Sequence, residues 1–345
     1  MGVVGGAGQD LAAPGVSRRA AVLGHPVAHS LSPALHRAAY TQLGLDGWAY
    51  GLQDVTAEEL PGVVARLDGS WAGLSLTMPL KHAVMGLLDA VDPLAEVTGA
   101  VNTVVVQPGP GGSAGPLTGF NTDVHGIVAA VREAAAPGWV PRRAVILGAG
   151  ATSSSAQAAV AELGLTRSTL VARRVPPAAA AATARMGVAV EHVAWTSPAV
   201  AAEAAAGADL VISTVPAGAA DDTAADLARL GVLAGAVLLD VVYDPSPTPL
   251  AAAWEGAGGA VVPGWAMLLH QAEAQVRLMT GRTPDVEVMR AALLAELARR
   301  RGGGEVRASP PPFPAGTGPR AEAAAPAPRT EPAPASASPP PTRSA

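Results

Sequence analysis

Three features of the sequence predict an α/β protein with mostly parallel strands. Short apolar runs of strand length, such as Ala20–Gly24 (AAVLG) and Trp71–Leu76 (WAGLSL), alternate with longer stretches of helical length. A second series of such runs opens at Ala144–Leu147, and a glycine turn and an Ala-rich stretch follow it at once. The 345 residues suffice for two ordinary cores.

The chain takes these elements in order. Residues 1–17 are rich in Gly and Ala without periodicity and are expected to form a loose tail. After the Ala20–Gly24 strand, Pro26 and Pro33 bracket a loop, and a helix is expected from Pro33 to about Leu43 with Ser32 as its N-cap. Strands at Trp48–Leu52 and Trp71–Leu76 flank a helix near 57–67. Val101–Val106 is the next strand, ended by the PGPGG turn at Pro108–Gly112, and a helix runs from Asp123 to about Ala136.

The second series begins with Ala144–Leu147, the turn Gly148-Ala149-Gly150 and a helix to Gly164. Ser153 stands where a third small residue lets helix and strand pack closely. Further strands at Ser168–Ala172, Val188–Val193, Asp209–Thr214, Ala236–Val242 and Ala260–Val262 complete a six-stranded, Rossmann-type dinucleotide domain. A helix to about Thr280 carries Gln271, and a last one, capped by Thr283 and opened by Pro284, shows an apolar stripe at Met289, Leu293 and Leu297. Beyond about Arg301 the composition of Pro, Ala, Ser and Gly predicts disorder. The expected division is a tail over 1–17, a substrate domain over 18–122 and 264–300, a dinucleotide domain over 123–263, and a disordered tail over 301–345.

Composition excludes several functions. A formal charge of −5 without a basic run argues against a nucleic-acid or anionic-membrane surface. The absence of cysteine removes disulfides, thiolate metal sites and thiol nucleophiles, and it fits a cytoplasmic address. No apolar run reaches the roughly 18–20 residues of a membrane span, and the N-terminus lacks an export pattern. His25, His29 and His36 do not make a metal site, because the prolines keep His25 and His29 off one helix face and no acidic partner is interleaved.

The residues that carry chemistry are few. Lys81 is the only lysine beside 22 arginines, in GLSLTMPLK at a strand's carboxyl end, where ligands gather in α/β sheets. Arginine stays protonated, whereas lysine can give up and regain a proton, so Lys81 is the leading acid/base candidate; the alternative is a solvated lysine after Pro79. Thr77 shares that strand end. Asparagine occurs only in GAVNT and GFNTD, at Asn102 and Asn121, and a carboxamide suits the hydroxyls of a polyol. Asp123 is the provisional partner that fixes the direction of Lys81.

Ser30 and Ser32 stand beside a helix N-terminus that favours an anion, although capping alone explains Ser32. At Arg173 and Arg174 two guanidiniums occupy the point where NAD binders place an acid, which favours the 2′-phosphate of NADP over NAD; a solvated pair is the alternative. Tyr243, at the end of the fifth strand, either reaches across to the first domain or simply packs there.

Taken together from about Arg18 to Arg300, the runs GHPVAHSLSPALH, GLSLTMPLK, GAVNT, GFNTD, GAGAT, ADLVISTVP, DVVYDPSPTPL and GWAMLLHQA resemble shikimate dehydrogenase, the NADP-dependent enzyme of the aromatic amino-acid pathway. The resemblance implies that Ser30, Ser32 and Tyr243 bind the shikimate carboxylate. It implies that Thr77, Asn102 and Gln271 hold the ring and its hydroxyls, and that Lys81 and Asp123 form the catalytic pair. For NADP(H) it implies Gly148, Ala149, Gly150, Ala151 and Thr152 at the glycine turn, with Arg173, Arg174, Thr214, Val215, Val241 and Gly264 around the remainder.

The implied reaction is reversible reduction of 3-dehydroshikimate to shikimate on the way to chorismate, Lys81 protonating the developing alkoxide. A monomer or homodimer is expected, with hinge-like closure about the Asp123 helix and the segment near Gly264. Three departures stand out: Ser75 replaces the family's asparagine in the lysine motif; the family's Asn-Arg-Thr loop reads Ala172-Arg173-Arg174 and lacks its later basic residue, with Pro176 and Pro177 nearby; and Val276 and Met279 stand where aromatic residues are common. An NAD-dependent quinate/shikimate or aminoshikimate dehydrogenase, and a non-catalytic regulator binding NADP or shikimate, remain alternatives.

Overall fold

The computed structural model describes residues 11–302, and in them the apolar runs assemble into two six-stranded sheets within one compact unit. The first sheet holds β1 (Arg18–Gly24), β2 (Trp48–Asp54), β3 (Trp71–Leu76), β4 (Ala90–Val91), β5 (Thr103–Pro108) and β6 (Ala114–Phe120), in the spatial order β2-β1-β3-β5-β6-β4. β1 runs parallel to β2 and β3, and β4 to β6. β5 alone is antiparallel to both neighbours, because the PGPGG turn folds it straight back into β6. Helices α1 (Ser32–Gln42), α2 (Leu60–Val64), α3 (Leu80–Ala83) and α4 (Pro93–Thr98) make the connections.

From α5 (Asp123–Ala134) the chain enters the second sheet. Its strands are β7 (Ala144–Leu147), β8 (Arg167–Ala172), β9 (Ala189–Ala194), β10 (Leu210–Ser213), β11 (Val237–Asp240) and β12 (Ala260–Pro263), in the order β12-β11-β10-β7-β8-β9 with every pairing parallel. Between them lie α6 (Ala151–Glu162), α7 (Pro177–Met186), α8 (Pro198–Ala206), α9 (Asp221–Leu230) and α10 (Pro249–Gly256). The central strands β7, β10 and β11 are buried along their whole length because both faces are covered, whereas the edge strand β9, with Glu191 and His192, is largely exposed. Ala144, Ile146, Leu210, Ile212, Val237 and Leu239 belong to one core with α5, whereas Val145, Leu147, Val211 and Leu238 belong to the other.

α11 (Gly264–Thr280) then returns to the first sheet, and α12 (Val286–Gly302) closes against α1 and α11. Leu269, Ala272, Val276 and Met279 of α11 recur at helical spacing and are buried in the first core. Glycine sets how near α11 comes. A Cβ at Gly73 would lie 2.9 Å from Met279 side-chain atoms, and one at Gly126 of α5 would lie 2.7 Å from the Met267 carbonyl oxygen. Either substitution would push α11 off a neighbour that bears site residues.

Some local expectations need correction. Ser32 is the first helical residue of α1 rather than its cap, and its N–H meets Ser30 Oγ at 3.3 Å. α12 is preceded by Asp285, whose carboxylate accepts from Glu287 N–H at 2.9 Å, so Asp285 and not Thr283 does the capping. α2 is shorter than expected: its entry is a Thr56–Glu59 box, with Thr56 N–H donating to the Glu59 carboxylate at 2.9 Å, and regular helix begins only at Leu60. Part of the expected N-terminal tail is placed, since Leu11 packs over Gly51 of β2. Residues 1–10 and 303–345, with most of the disorder expected at the C-terminus, lie outside the described residues.

Candidate active site

Strand ends deliver the reactive groups. β3 delivers Thr77, whose N–H donates to the Leu23 carbonyl at 2.9 Å, and the chain turns into α3 with Lys81 on its first turn. Lys81's carbonyl accepts from Val101 N–H at 2.9 Å, which ties α3 to the segment leading to Asn102. Asp123 opens α5, where the helix N-terminus favours a carboxylate, and its N–H donates to Asn121 Oδ1 at 3.1 Å. Lys81 Nζ forms an ion pair and hydrogen bond with Asp123 Oδ2. The two side chains, 42 residues apart in sequence, are 13% and 5% exposed.

Asn102 links this pair to the rest of the site. Its Nδ2 donates to Asp123 Oδ1 at 2.7 Å and points toward Gln271 Oε1 at 3.3 Å. Its Oδ1 accepts from the Thr122 N–H at 2.8 Å and from Thr103 Oγ1 at 2.8 Å. Around these groups lies a cavity of about 270 Å³ lined by Ser30, Ser32, Thr77, Lys81, Asn102, Asp123, Tyr243 and Gln271. Every expected substrate-side residue therefore borders one cavity.

The cavity wall at Ser30, Ser32 and Tyr243 has backing of its own. Tyr243 packs against the first core, and burial pushes its hydroxyl pKa up, opposed by the charge of Arg300. Arg300 of α12 donates to the His29 carbonyl at 2.7 Å and the Ser30 carbonyl at 3.1 Å, holding the serine loop from behind. The three histidines go separate ways. His25 pairs with Asp54, His29 lies at the cavity wall, and His36 is buried on Tyr50. Among the described residues no cluster of three His, Asp or Glu could hold a metal ion.

On the dinucleotide side, Thr152, Val241 and Gly264 also line the cavity, while Gly148, Ala149, Gly150, Ala151, Arg173, Arg174, Thr214 and Val215 lie outside it. Gly148 has φ +107°, and a Cβ there would lie 2.6 Å from Thr214 Oγ1, so only glycine fits the turn. Thr214 Oγ1 and Ser153 Oγ brace the turn by donating to the Leu147 and Gly148 carbonyls, each at 2.8 Å. Gly150 faces open space, and the first N–H groups of α6 have no intrahelical acceptor. Arg173 and Arg174 are exposed just past β8. An open helix N-terminus behind a glycine turn, with two cations at the next strand end, fits a phosphorylated dinucleotide. Gly264 is packed so tightly that a Cβ would lie 2.5 Å from the Val241 carbonyl oxygen.

Asn121 is not a polyol ligand. Its Nδ2 donates to Thr98 Oγ1 and Ser155 Oγ, each at 2.9 Å, so it clamps α4 to α6 and leaves the cavity to Asn102. Ser75, noted in the sequence only as a departure from the family, lines the cavity, and sequence reasoning missed Gln275, which lines it too, and Arg300. A glutamine one turn after Gln271 on an otherwise apolar face was the available signal for Gln275.

Known proteins resemble this chain along most of its length. Residues 22–104 match the shikimate dehydrogenase substrate binding domain, and residues 264–294 match the shikimate 5'-dehydrogenase C-terminal domain. A relative named shikimate dehydrogenase (NADP(+)), from Citrifermentans bemidjiense, is 38% identical over 292 residues, covering 82% of this chain and 97% of that protein. The crystal structure of Mycobacterium tuberculosis shikimate dehydrogenase is 42% identical with a TM-score of 0.69, covering 81% of this chain and 99% of that one. The shikimate 5-dehydrogenase of Thermus thermophilus, in complex with NADP(H) and shikimate, is 34% identical with a TM-score of 0.66, covering 81% and 99%.

Proposed function

The chain belongs to the shikimate dehydrogenase family, and on that premise we propose that it catalyses the reversible, NADPH-dependent reduction of 3-dehydroshikimate to shikimate, toward chorismate and the aromatic amino acids. The observation that carries this reading is the buried Lys81–Asp123 pair on the wall of a cavity that Ser30, Ser32, Thr77, Asn102 and Gln271 also line. When bound, NADPH supplies the hydride.

The protein's own residues do the rest. Lys81 presents an ammonium group to the oxygen that gains charge and gives it a proton, and Asp123 keeps that ammonium aimed. Asn102, Thr77 and Gln271 take the ring hydroxyls, so that the reacting carbon meets Lys81 in one pose. Ser30, Ser32 and Tyr243 take the carboxylate. Gly148 to Thr152, with Thr214, Val215, Val241 and Gly264, would hold the cofactor, and Arg173 and Arg174 would hold its 2′-phosphate. Residues 18–122 with 264–300 act as the substrate domain and 123–263 as the cofactor domain, in a cytoplasmic monomer or homodimer.

The test is absorbance of the reduced nicotinamide with purified protein, crossing shikimate and quinate with NADP⁺ and NAD⁺. Turnover concentrated on shikimate with NADP⁺ is expected. Turnover led by quinate and NAD⁺ would overturn the cofactor and substrate assignments, and tight binding without turnover would make the protein a regulator.

A further inference from the structure

Gln275, one turn beyond Gln271 on α11, is 1% exposed, and both ends of its amide are engaged. Nε2 donates to Thr103 Oγ1 at 3.0 Å and to the Asn102 carbonyl at 3.2 Å, while Oε1 accepts from Ser75 Oγ at 2.8 Å. Ser75 Oγ accepts in turn from the Tyr50 hydroxyl at 2.7 Å. Thr103 Oγ1 donates to Asn102 Oδ1, and Asn102 Nδ2 donates to Asp123, whose other oxygen takes Lys81.

Main-chain groups that cannot reverse fix the sense of these bonds. The Asn102 carbonyl only accepts, so the NH₂ end of Gln275 must face it; the Thr122 N–H only donates, so the oxygen of Asn102 must face that. Ser75 Oγ is then left to donate to Gln275, and Thr103 Oγ1 to donate to Asn102. The result is a buried set of bonds with one donor sense, running from Tyr50 to the carboxylate of Asp123, with Ser75, Gln275, Asn102 and Asp123 at the cavity wall.

We propose that Gln275, with Ser75 as its partner, is a positioning residue: it sets Thr103 and Asn102, and through them holds Asp123 in place against Lys81. The inference rests on Lys81 and Asp123 being the reacting pair. It also explains why serine is accommodated at position 75. The short hydroxyl leaves a gap that the long amide of Gln275 fills, and each satisfies a buried group the other would leave unpaired. Ala272, Val276 and Met279, neighbours of Gln275 on α11, are apolar, so packing alone does not call for an amide here.

The test uses the full-length protein and four variants, Gln275→Met, Ser75→Ala, their double and Lys81→Ala. Gln275→Met keeps the size and removes both ends of the amide. It is expected to lower kcat about tenfold, the effect of mis-setting one hydrogen bond to a charged group, while shikimate Kd, measured by calorimetry without cofactor, stays within about threefold. Ser75→Ala is expected to lower kcat severalfold and to add nothing on top of Gln275→Met, since both break one chain. Unchanged kcat in either single variant, additive losses in the double variant, or a loss confined to shikimate Kd would overturn the proposal. Should Gln275→Met not fold, Ser75→Ala alone decides on kcat against Kd. Lys81→Ala separates the two levels: if it keeps wild-type kcat, the reacting pair itself is misassigned, whereas an inactive Lys81→Ala beside a fully active Gln275→Met removes only the role of Gln275.

Discussion

His36 is fully buried and stacked on Tyr50, with ring centroids 3.8 Å apart, and its Nδ1 lies 3.0 Å from the Ser32 carbonyl oxygen. A carbonyl only accepts, so Nδ1 carries the proton of the neutral ring and Nε2 keeps a lone pair, with no hydrogen-bond partner among the described residues. A second proton would put a charge among apolar atoms, and burial accordingly depresses the pKa from 6.5 to about 4. With the folded value below the unfolded one, the unfolded chain takes the proton first as pH falls. The stability tied to His36 is whole above about pH 6.5, declines through the window, and is lost below about pH 4. At about 1.4 kcal/mol per pH unit, the full loss is about 3 kcal/mol, of which about 2 kcal/mol is gone by about pH 5. Urea unfolding of the wild type and of His36→Phe, at neutral pH and at about pH 5, isolates this share. Other acid-sensitive groups are common to both proteins and cancel, among them Glu296, held at about 2 by its hydrogen bonds to Arg299 and Arg300. The wild type should lose about 2 kcal/mol more than the variant on acidification; equal losses would refute the assignment of a neutral, buried His36.

Lys81→Met should lower kcat by about 10²–10⁴-fold with shikimate binding nearly kept, and cost about 3 kcal/mol in denaturant titrations because Asp123 is left buried without its cation. Arg300→Met, which frees the carbonyls of His29 and Ser30, should raise shikimate KM about fivefold with little change in kcat. Arg300→Lys should recover only part of that, since an ammonium lacks the fork that reaches both carbonyls. Replacing Arg173 and Arg174 by serine should raise the NADP⁺ KM about tenfold or more while leaving the NAD⁺ KM near its starting value, measured by initial rates.

What was legible follows from what each position had to satisfy. Strands buried on two faces leave continuous apolar runs, so β1, β3, β7, β10 and β11 could be read. β6 could not: Ala114–Phe120 alternates Gly, Pro and Thr in a half-exposed strand and carries no apolar run. β4, two residues long, has no pattern to detect. Composition singled out Lys81 and Asn102, the position after the second Asn-Thr pair suggested Asp123, and folding brings the three into hydrogen-bonding contact. Composition also grouped Asn121 with Asn102, and only the tertiary neighbours Thr98 and Ser155 separate them. Arg300 and Gln275 escaped because their partners, a loop carbonyl and a strand hydroxyl, lie more than 170 residues away along the chain.

The close approach at Gly126 makes α5 and α11 a single strut, with Asp123 at one tip of α5 and Gln271 beside the contact. α5 also packs on β11 and β12, at one edge of the second sheet. β8, which ends one residue before Arg173, stands three strand positions from β11, roughly 14 Å at ordinary strand spacing. In any rotation about that strut, displacement grows with distance from the axis, so the arginine pair sweeps a wide arc while Asp123 barely travels. On the roles proposed above, gripping the far end of a dinucleotide and keeping a proton donor aligned thus fall to different radii of the same lever.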